Sequence, residues 1–418
     1  MSAPTSSTGR RPAHRIAYIT TAFPWRSETA VIKEIHELEE LGFHIQVVSL
    51  KRNSYDGTFD PKAFRFRNRT LYPGPLLWMR SLASSLVQMA TRAASRRLLG
   101  LTLRHSGRHL GKNLYILLFM VPEIARCLQR DRVSYVHANF ASYQAYAAMA
   151  VHELTGIPFG FTVHAHDIFL DHFMIPEKVA RATLVVSISQ YNVDYMVREF
   201  GIPPERVKVV HCGVDLAEFS VTQNGATDIP LMLSVGRMDP MKGFDILLEA
   251  CALLRQHNTF RCVVVGSGPE LENLQALAAR WDLEQVVEFR SGVPQAELVE
   301  LYQSCSLYLQ PCRRTSVGMQ DGIPATLMEA MAVAKPTVST YVSGIPELIQ
   351  DGVEGRLVQP EDPAALCQAI RDLLDDPQQR GRMGRAGRDK IEREFNIAVS
   401  ARELATLIED ALSQDTRP

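Results

Sequence analysis

Metal-binding and disulfide chemistry are poorly provided for in this chain. Its 418 residues include seven cysteines, Cys127, Cys212, Cys251, Cys262, Cys305, Cys312 and Cys367, an odd number with no C-x-x-C pair. That argues against a disulfide framework and a cysteine zinc site, and fits a reducing cytosol. No D-x-D pair and no histidine cluster offers a metal site, so no metal and no cofactor is expected. Long apolar runs are also missing. The nearest, "LYILLFMV" at 114–121, falls far short of the roughly 18 residues a spanning helix needs. Net charge is missing too: 45 Lys and Arg against 46 Asp and Glu leave −1. A chain so balanced is not built to coat nucleic acid, and none is expected as a partner. The opening "MSAPTSSTGRRPAHR" is polar and Pro/Ser-rich with no apolar core after it, so residues 1–14 read as a disordered leader and not a signal peptide.

One absence is local. From Pro61 to Pro122 there is no Asp or Glu, while Lys62, Arg65, Arg67, Arg69, Arg80, Arg92, Arg96, Arg97, Arg104, Arg108 and Lys112 give +11, against −12 for the rest of the chain. "PLLWM", "LASSLVQMA" and "RRLLGLTL" are interleaved with these cations. Basic residues alternating with apolar ones fit helices lying on an anionic membrane surface, with Trp78, Arg80, Arg92, Arg96, Arg97, Arg104 and Arg108 as contact candidates. A solvated helical insertion, or one that binds an acidic partner, is the plainer alternative. RNA is a lesser option because the aromatic interleaving is thin.

Beyond these absences the composition is that of a globular protein, 46% hydrophobic and 22% charged, long enough for two or three domains. Short apolar runs alternate with amphipathic ones. "RIAYITTAF" (15–23), "HIQVVSL" (44–50), "VSYVHAN" (133–139), "PFGFTVHA" (158–165), "TLVVSIS" (183–189) and "VKVVHCG" (207–213) read as strands. "LMLSVG" (231–236), "RCVVVGSG" (261–268), "VVEFRSG", "SLYLQP" and "PTVSTYV" repeat the scheme in the second half. Buried strands separated by helices imply parallel βαβ units. The fold class is therefore α/β, with two doubly wound domains meeting at a cleft and ligands at the C-terminal strand ends. The expected limits are 15–219 for the first domain, including the 61–122 insertion, 220–230 for a linker, and 231–395 for the second domain. Residues 396–418 form a C-terminal helix and tail that packs back on the first domain.

The chemistry gathers in the second half. "DGIPATLMEAMA" (321–332) starts a helix after Gly322, Ile323 and Pro324, and "GIPELI" (344–349) repeats the phrase on the far side of the strand "PTVSTYV". Two helix starts flanking one strand suggest a shared anion pocket, with Gly344 and Ile345 at the second. In "SVGRMDPMKGFD", Arg237 and Lys242 supply a guanidinium fork and a point charge suited to a diphosphate, or are two surface cations. Gly266 and Gly268 of "VVVGSGPE" form a candidate nucleotide-side loop, although a lone G-x-G is a weak signal. Glu329 lies inside an apolar helix, where a carboxylate needs donors, and sugar hydroxyls are suitable ones. Asp321, in the loop before that helix, can reach another part of the same ligand. A glycosidase acid/base pair is the competing idea, but it leaves Arg237, Lys242 and both helix starts unused.

These phrases, with "SGIPELIQDGVEGRLVQPEDPAALCQAI", resemble glycosyltransferase family 4, retaining enzymes of the GT-B fold with two Rossmann-like domains. "FPWRSETAVIKEI", "FTVHAHDIF" and "VVHCGVDLAEF" resemble its bacterial exopolysaccharide branch, of the colanic-acid and amylovoran type. The resemblance spans roughly 15–400. It implies that Glu329 holds the ribose hydroxyls and that Asp321 lies near the donor sugar, with the Gly322 and Ile323 backbone approaching it. Asp321 stands where the family usually has Glu, which puts the donor identity in question. Arg237 and Lys242 match the pair that binds the donor phosphates. His164 falls at the family's active-site histidine, and His166, Ser27 and Glu28 are acceptor-side candidates. His137, ending another strand, reads as packing. Asp167 reads as a helix cap or as a partner that orients a histidine.

The implied enzyme is a metal-independent retaining hexosyltransferase. It would move a sugar from a UDP- or GDP-sugar to a lipid-linked oligosaccharide or other glycan acceptor in exopolysaccharide synthesis. It would sit in the cytoplasm, peripheral on the inner face of the plasma membrane, with other polysaccharide-synthesis proteins as further partners. The alternatives are a nucleotide-sugar epimerase or hydrolase on the same fold, and a catalytically silent nucleotide-sugar-binding scaffold.

Overall fold

The computed structural model describes residues 14–24, 29–52, 65–66, 69–74, 78–222 and 229–415. Ser27 and Glu28 lie outside the described residues, as do the side chains of Trp78 and Arg80 and residues 1–13 of the expected leader.

The first half opens with β1 (Arg15–Phe23), α1 (Thr29–Glu40) and β2 (His44–Arg52). The cation-rich segment follows as α2 (Trp78–Thr91), α3 (Ala93–His105), α4 (Leu110–Tyr115) and α5 (Val121–Arg130), the last two joined by a π-helical turn at Ile116–Met120. Next come β3 (Tyr135–Ala138), α6 (Tyr143–Thr155), β4 (Phe159–Val163), α7 (Ala165–Phe169), α8 (Ile175–Arg181), β5 (Leu184–Ser187), α9 (Gln190–Phe200) and β6 (Lys208–Val209). The strands form one parallel sheet in the order β2-β1-β3-β4-β5-β6.

The second half runs β7 (Leu231–Val235), α10 (Phe244–Leu254), β8 (Arg261–Val265), α11 (Leu271–Arg280), β9 (Val287–Arg290) and α12 (Gln295–Ser304). It continues with β10 (Leu307–Gln310), α13 (Ala325–Ala332), β11 (Thr337–Thr340), α14 (Ile345–Leu348), β12 (Gly355–Val358), α15 (Pro363–Asp375), α16 (Pro377–Glu394) and α17 (Ile397–Asp415). Its sheet, also parallel, has the order β12-β11-β10-β7-β8-β9. In both sheets the chain first winds outward one way and then returns to the other side of its starting strand. The reversal falls between β1 and β3 and between β7 and β10, and the C-terminal ends of strands at such a point leave a crevice for ligands.

The chain packs as two compact units, Met1–Thr162 with Phe173–Val185 and Ala401–Pro418, and Val163–His172 with Val186–Ser400. The segment 220–230 falls inside the second unit on this division, and residues 223–228 lie outside the described residues. Residues 163–172 join the second unit through contacts such as the ring of Phe169, edge-on to Tyr195 at 4.8 Å.

Two local expectations change. The run 207–213 yields only a two-residue strand, and at its end Gly213 passes close to another segment: a Cβ there would lie 2.3 Å from Ile397 Cα. A strand not expected, β12, completes the second sheet as its edge. It begins at Gly355, where a side chain would meet the Thr337 carbonyl at 2.5 Å. In the cation-rich segment, Leu98, Ile116, Leu117 and Met120 are core residues of the first unit. The Thr102 hydroxyl shares a 2.7 Å hydrogen bond with Tyr146, and Ser85 donates to the Leu118 carbonyl at 2.9 Å. Much of the segment's apolar content is thus spent internally, leaving Val87, Leu103 and Tyr115 as its exposed large hydrophobics among the described residues. Arg92, Arg96, Arg97, Arg104 and Arg108 are exposed. No described helix is long and apolar enough to cross a membrane.

The loops after β7 and β8 touch backbone to backbone. A Cβ on Gly266 would sit 1.9 Å from the Gly236 carbonyl oxygen, and one on Gly268 2.4 Å from that of Met238. The G-x-G spacing therefore has a packing cause in addition to any ligand. Gly266→Ala is expected to destabilise the protein by about 2–4 kcal/mol through this overlap, read as an earlier urea transition, whereas Gly292→Ala, with open space around the site, should lose only the smaller cost of its positive φ.

Candidate functional site

The crevice between β7 and β10 holds the charged residues picked out by sequence. Lys242 follows β7 and ends a 3-10 turn at Pro240–Lys242, and Gly243 then takes φ +67° to start α10. A side chain at Gly243 would strike the Pro311 carbonyl at 1.9 Å, so the β7 loop lies directly against the end of β10. From the β10 side, Arg313 donates to the Pro240 carbonyl at 2.8 Å and pairs with Asp245 at 2.9 Å. The two loops are thereby clamped together.

Within this clamp Lys242 Nζ meets Asp321 Oδ2 at 2.8 Å, with side chains only 11% and 16% exposed. Burial pushes the Lys242 ammonium toward neutrality, but the Asp321 carboxylate more than offsets this and its pKa is raised overall. The Cys312 thiol, fully buried, donates to the same carboxylate oxygen at 3.5 Å. Burial first, and then Asp321, push that thiol far above its ordinary value, so it stays protonated as a donor. Arg237 differs sharply. It is 70% exposed and is tethered by Asp239 at 3.1 Å.

A network of buried polar groups supports the strand ends. Gln310 accepts from the Tyr308 hydroxyl at 2.9 Å and from the Thr326 hydroxyl at 3.3 Å, and its amide reaches the Lys242 carbonyl at 3.4 Å. Ser339 and Thr340 of β11 donate to the carbonyls of Gln310 and Cys312 at 2.6 and 2.5 Å. Glu329 sits in the middle of α13 and accepts from the Tyr302 hydroxyl of α12 at 2.8 Å. Burial, and then the neighbouring carboxylate, raise Tyr302 far above the usual tyrosine range. Sequence reasoning missed Tyr302, because nothing in the spacing links it to a carboxylate 27 residues away.

The two Gly-Ile-Pro phrases are not equivalent in three dimensions. Pro324 is the N-cap of the eight-residue α13, whereas Gly344 caps the four-residue α14 and Pro346 lies inside it. Gly322 has no positive φ. Its role is close approach, with the Ile188 Cδ1 and Ala165 Cβ atoms 3.3 and 3.5 Å from where its Cβ would be. Gly344 likewise packs on Ile323 and Ser189, so Ile323 and Ile345, the latter fully buried, help to build the wall. The second phrase instead supplies Glu347, whose carboxylate accepts from the Gln190 and Tyr191 backbone N–H groups at 2.8 and 2.7 Å and faces His211 at 3.4 Å. Burial alone would raise this carboxyl, but His211 and the two amides outweigh it and hold the group low. Glu347 thus occupies the N-terminus of α9.

The α7 turn brings the histidines into the same unit. His164 is its N-cap and half-buried, and its backbone N–H donates to Asp167 at 3.0 Å, which makes Asp167 a cap. Ala165 is the residue that approaches Gly322, while His166 is exposed. His137 belongs to the first unit, fully buried, 2.9 Å from the Thr162 hydroxyl. Beyond Arg237, a cavity of about 640 Å³ opens at the ends of β7, β8 and β9, lined by Gly236, Arg237, Gly266, Ser267, Gly268 and Val293. Among the described residues no group of three His, Cys, Asp or Glu is placed to hold a metal ion.

Removing one member of a buried ion pair costs more than the pair contributes, because the partner stays desolvated. Asp321→Asn is expected to destabilise the protein by about 3–5 kcal/mol in urea unfolding, and Asp321→Asn with Lys242→Met should recover most of the loss. Lys242 has a raised folded pKa, so its contribution is complete below the ordinary lysine value of 10.5 and fades as pH rises through the higher folded value. A wild-type stability profile that falls above pH 10, and is flatter in the double variant, would show this.

The family model described as Glycosyltransferase Family 4 matches residues 27–218, and that of Glycosyl transferases group 1 matches residues 218–390. Over nearly its full length the chain is similar to the putative colanic acid biosynthesis glycosyltransferase WcaL of Escherichia coli, with 28% identity over 94% of this chain and 99% of that protein. It is similar to the amylovoran biosynthesis glycosyltransferase AmsK of Erwinia amylovora at 27% identity over the same shares. Among solved structures, Anabaena HepE in complex with UDP superposes with a TM-score of 0.72 at 16% identity, covering 95% of this chain and 100% of that one. Sucrose-phosphate synthase from Thermosynechococcus elongatus gives 0.72 at 18% identity over 96% and 100%. With two parallel six-stranded sheets and two glycosyltransferase domains laid end to end along residues 27–390, the chain belongs to glycosyltransferase family 4 and has the GT-B fold.

Proposed function

We propose that the protein is a retaining, metal-independent glycosyltransferase that moves a sugar from a UDP- or GDP-sugar to a lipid-linked glycan in exopolysaccharide synthesis. The observation that carries this reading is the buried Lys242–Asp321 pair, which puts a fixed cation next to a fixed carboxylate at the topological switch point. A sugar diphosphate needs that juxtaposition, with cations for the phosphates and an acceptor of hydroxyl protons for the sugar. Lys242 takes the diphosphate together with the exposed, adjustable Arg237 and the backbone at Gly344 and Ile345. The base enters the 640 Å³ cavity beside Gly266 and Gly268. Glu329, steadied by Tyr302, accepts the ribose hydroxyls. Asp321, the backbone at Gly322 and Ile323, and His164 surround the donor sugar.

In the transfer, the bond between the anomeric carbon and the phosphate oxygen breaks as the acceptor hydroxyl oxygen bonds to that carbon on the same face, and the hydroxyl's proton passes to the departing phosphate oxygen. Charge grows on the leaving diphosphate, where Lys242 and Arg237 stabilise it. The relatives named for colanic acid and amylovoran biosynthesis support the polysaccharide setting, and the neighbour bound to UDP supports a nucleotide-sugar donor. The shorter Asp321, tied to Lys242, leaves the donor sugar less tightly framed than a glutamate would, so the sugar itself is open.

The acceptor reading goes with the exposed cations of α3 and its two flanks. We place Arg92, Arg96, Arg97, Arg104 and Arg108 against an anionic bilayer on the cytoplasmic side, where a lipid-linked acceptor is presented, and keep Trp78 and Arg80 as contact candidates from the sequence. His166, Ser27 and Glu28 remain acceptor-side candidates.

Thermal shift with UDP, GDP, ADP and CMP tests the donor site. One nucleotide should protect the wild type, and Glu329→Ala should lose that protection, whereas no protection by any of them would remove the nucleotide-sugar donor site. Lys242→Ala should lower kcat/KM for transfer by about 100-fold or more, the scale of losing one preorganised charge at a developing anion. Unchanged transfer would remove Lys242 from the phosphate site. Reversing the charge of Arg96, Arg97 and Arg104 together should weaken binding to phosphatidylserine-containing vesicles by at least about 100-fold, at about 1 kcal/mol for each cation lost. Equal sedimentation of variant and wild type would rule out the membrane face.

A further inference from the structure

A second cavity, of about 570 Å³, lies in the same unit as the donor residues and is used by none of the roles above. Its lining includes Tyr191, Arg314, Gln320, Tyr341, Ser343 and Glu347. Gln320 immediately precedes Asp321, and its amide donates to the Tyr191 hydroxyl at 3.2 Å, so the cavity begins one residue from the carboxylate assigned to the donor sugar. The loop 314–320, to which the donor site gives no role, contributes Arg314 and Gln320 to it.

Three features of this lining call for a ligand. Tyr341 is 45% exposed, a large ring held at a cavity wall instead of in the core. Ser343 takes φ +50°, a left-handed conformation that costs a serine free energy, and its buried hydroxyl has no hydrogen-bond partner. The arrangement is also rigid: Glu347 is locked onto the Gln190 and Tyr191 amides, and Gly344 behind Ser343 is packed on Ile323. Aromatic faces beside an amide, a hydroxyl and a guanidinium match a pyranose, whose C–H face stacks on rings while its edge exchanges hydrogen bonds. The volume falls in the usual range for a small-molecule site, about 300–1,000 Å³.

We propose that this cavity is a saccharide subsite for the acceptor glycan, with Tyr341 as stacking platform, Arg314 and Gln320 as hydroxyl partners, and Ser343 as a hydroxyl that rotates from its sealed position to meet a bound sugar. The proposal rests on the transferase reading and adds which residues choose the acceptor. The link to the donor residues is the chain itself, since Gln320 of this cavity is bonded directly to Asp321, and transfer requires that donor and acceptor be held close.

The test is saturation-transfer-difference NMR on the full chain saturated with its protecting nucleotide, using methyl glycosides of glucose, galactose, mannose, fucose and glucuronic acid as probes. At least one should give a signal, and Tyr341→Ala, Arg314→Ala and Ser343→Gly should each reduce it at least about fivefold, roughly 1 kcal/mol, with nucleotide protection unchanged. Ser343→Gly is the discriminating variant. It removes backbone strain, so a merely structural serine would leave binding intact and the fold as stable or more so, whereas a ligand contact would be lost from a stable protein. Signals equal in wild type and variants, or no signal from any glycoside, would overturn the subsite. Absence of protection by any nucleotide would instead fault the underlying transferase reading, so the two failures are distinguishable.

Discussion

The contact between Lys242 and Asp321 organises the second unit. Two charges held 2.8 Å apart and mostly shielded from water are costly to bury, so the surroundings must supply compensation. They do so through the Cys312 thiol on the carboxylate, and through the Gln310, Thr340 and Ser339 network that holds the strand ends supporting both loops. Because β7 and β10 are neighbours in the sheet though far apart in sequence, this pair joins the two sides of the switch point. The glycines follow from the same constraint: Gly243 exists so that the lysine loop can touch Pro311, and Gly266 so that the next loop can touch Gly236.

The same economy appears at the carboxylates. Glu329 and Glu347 both stand on helices and both find donors, one a buried tyrosine hydroxyl and the other two backbone amides. The first meets a side chain of α12, while the second holds α9 against α14. Two phrases that look alike on paper thus differ in what their acids do. Glu347 fixes α14 just after Ser343, whose φ of +50° and unpartnered buried hydroxyl stand at the second cavity.

In the first unit, the basic segment serves two masters. Residues at helical spacing such as Ser95, Leu98 and Thr102 turn inward, and the arginines between them turn out. Its apolar content first builds a core around Tyr146 and Met120, and only the remainder is available to a surface. A charge count along the chain detects the outer face well but cannot apportion leucines between core and exterior, since both uses follow one periodicity.

The amino-acid sequence by itself determined the alternation of strands and helices, the two parallel sheets and the glycosyltransferase family, because buried parallel strands read as continuous apolar runs and the loop phrases at their ends are distinctive. It also singled out Arg237, Lys242, Asp321 and Glu329 as the charged residues of interest. Only the tertiary structure decided who meets whom: that Lys242 is neutralised by Asp321 while Arg237 stays exposed, that Tyr302 holds Glu329, that the second Gly-Ile-Pro phrase is a single turn, and that Ser343 is strained beside a cavity. Those outcomes depend on distances between residues tens of positions apart, set by strand order and backbone contact, and such distances leave no mark in local spacing.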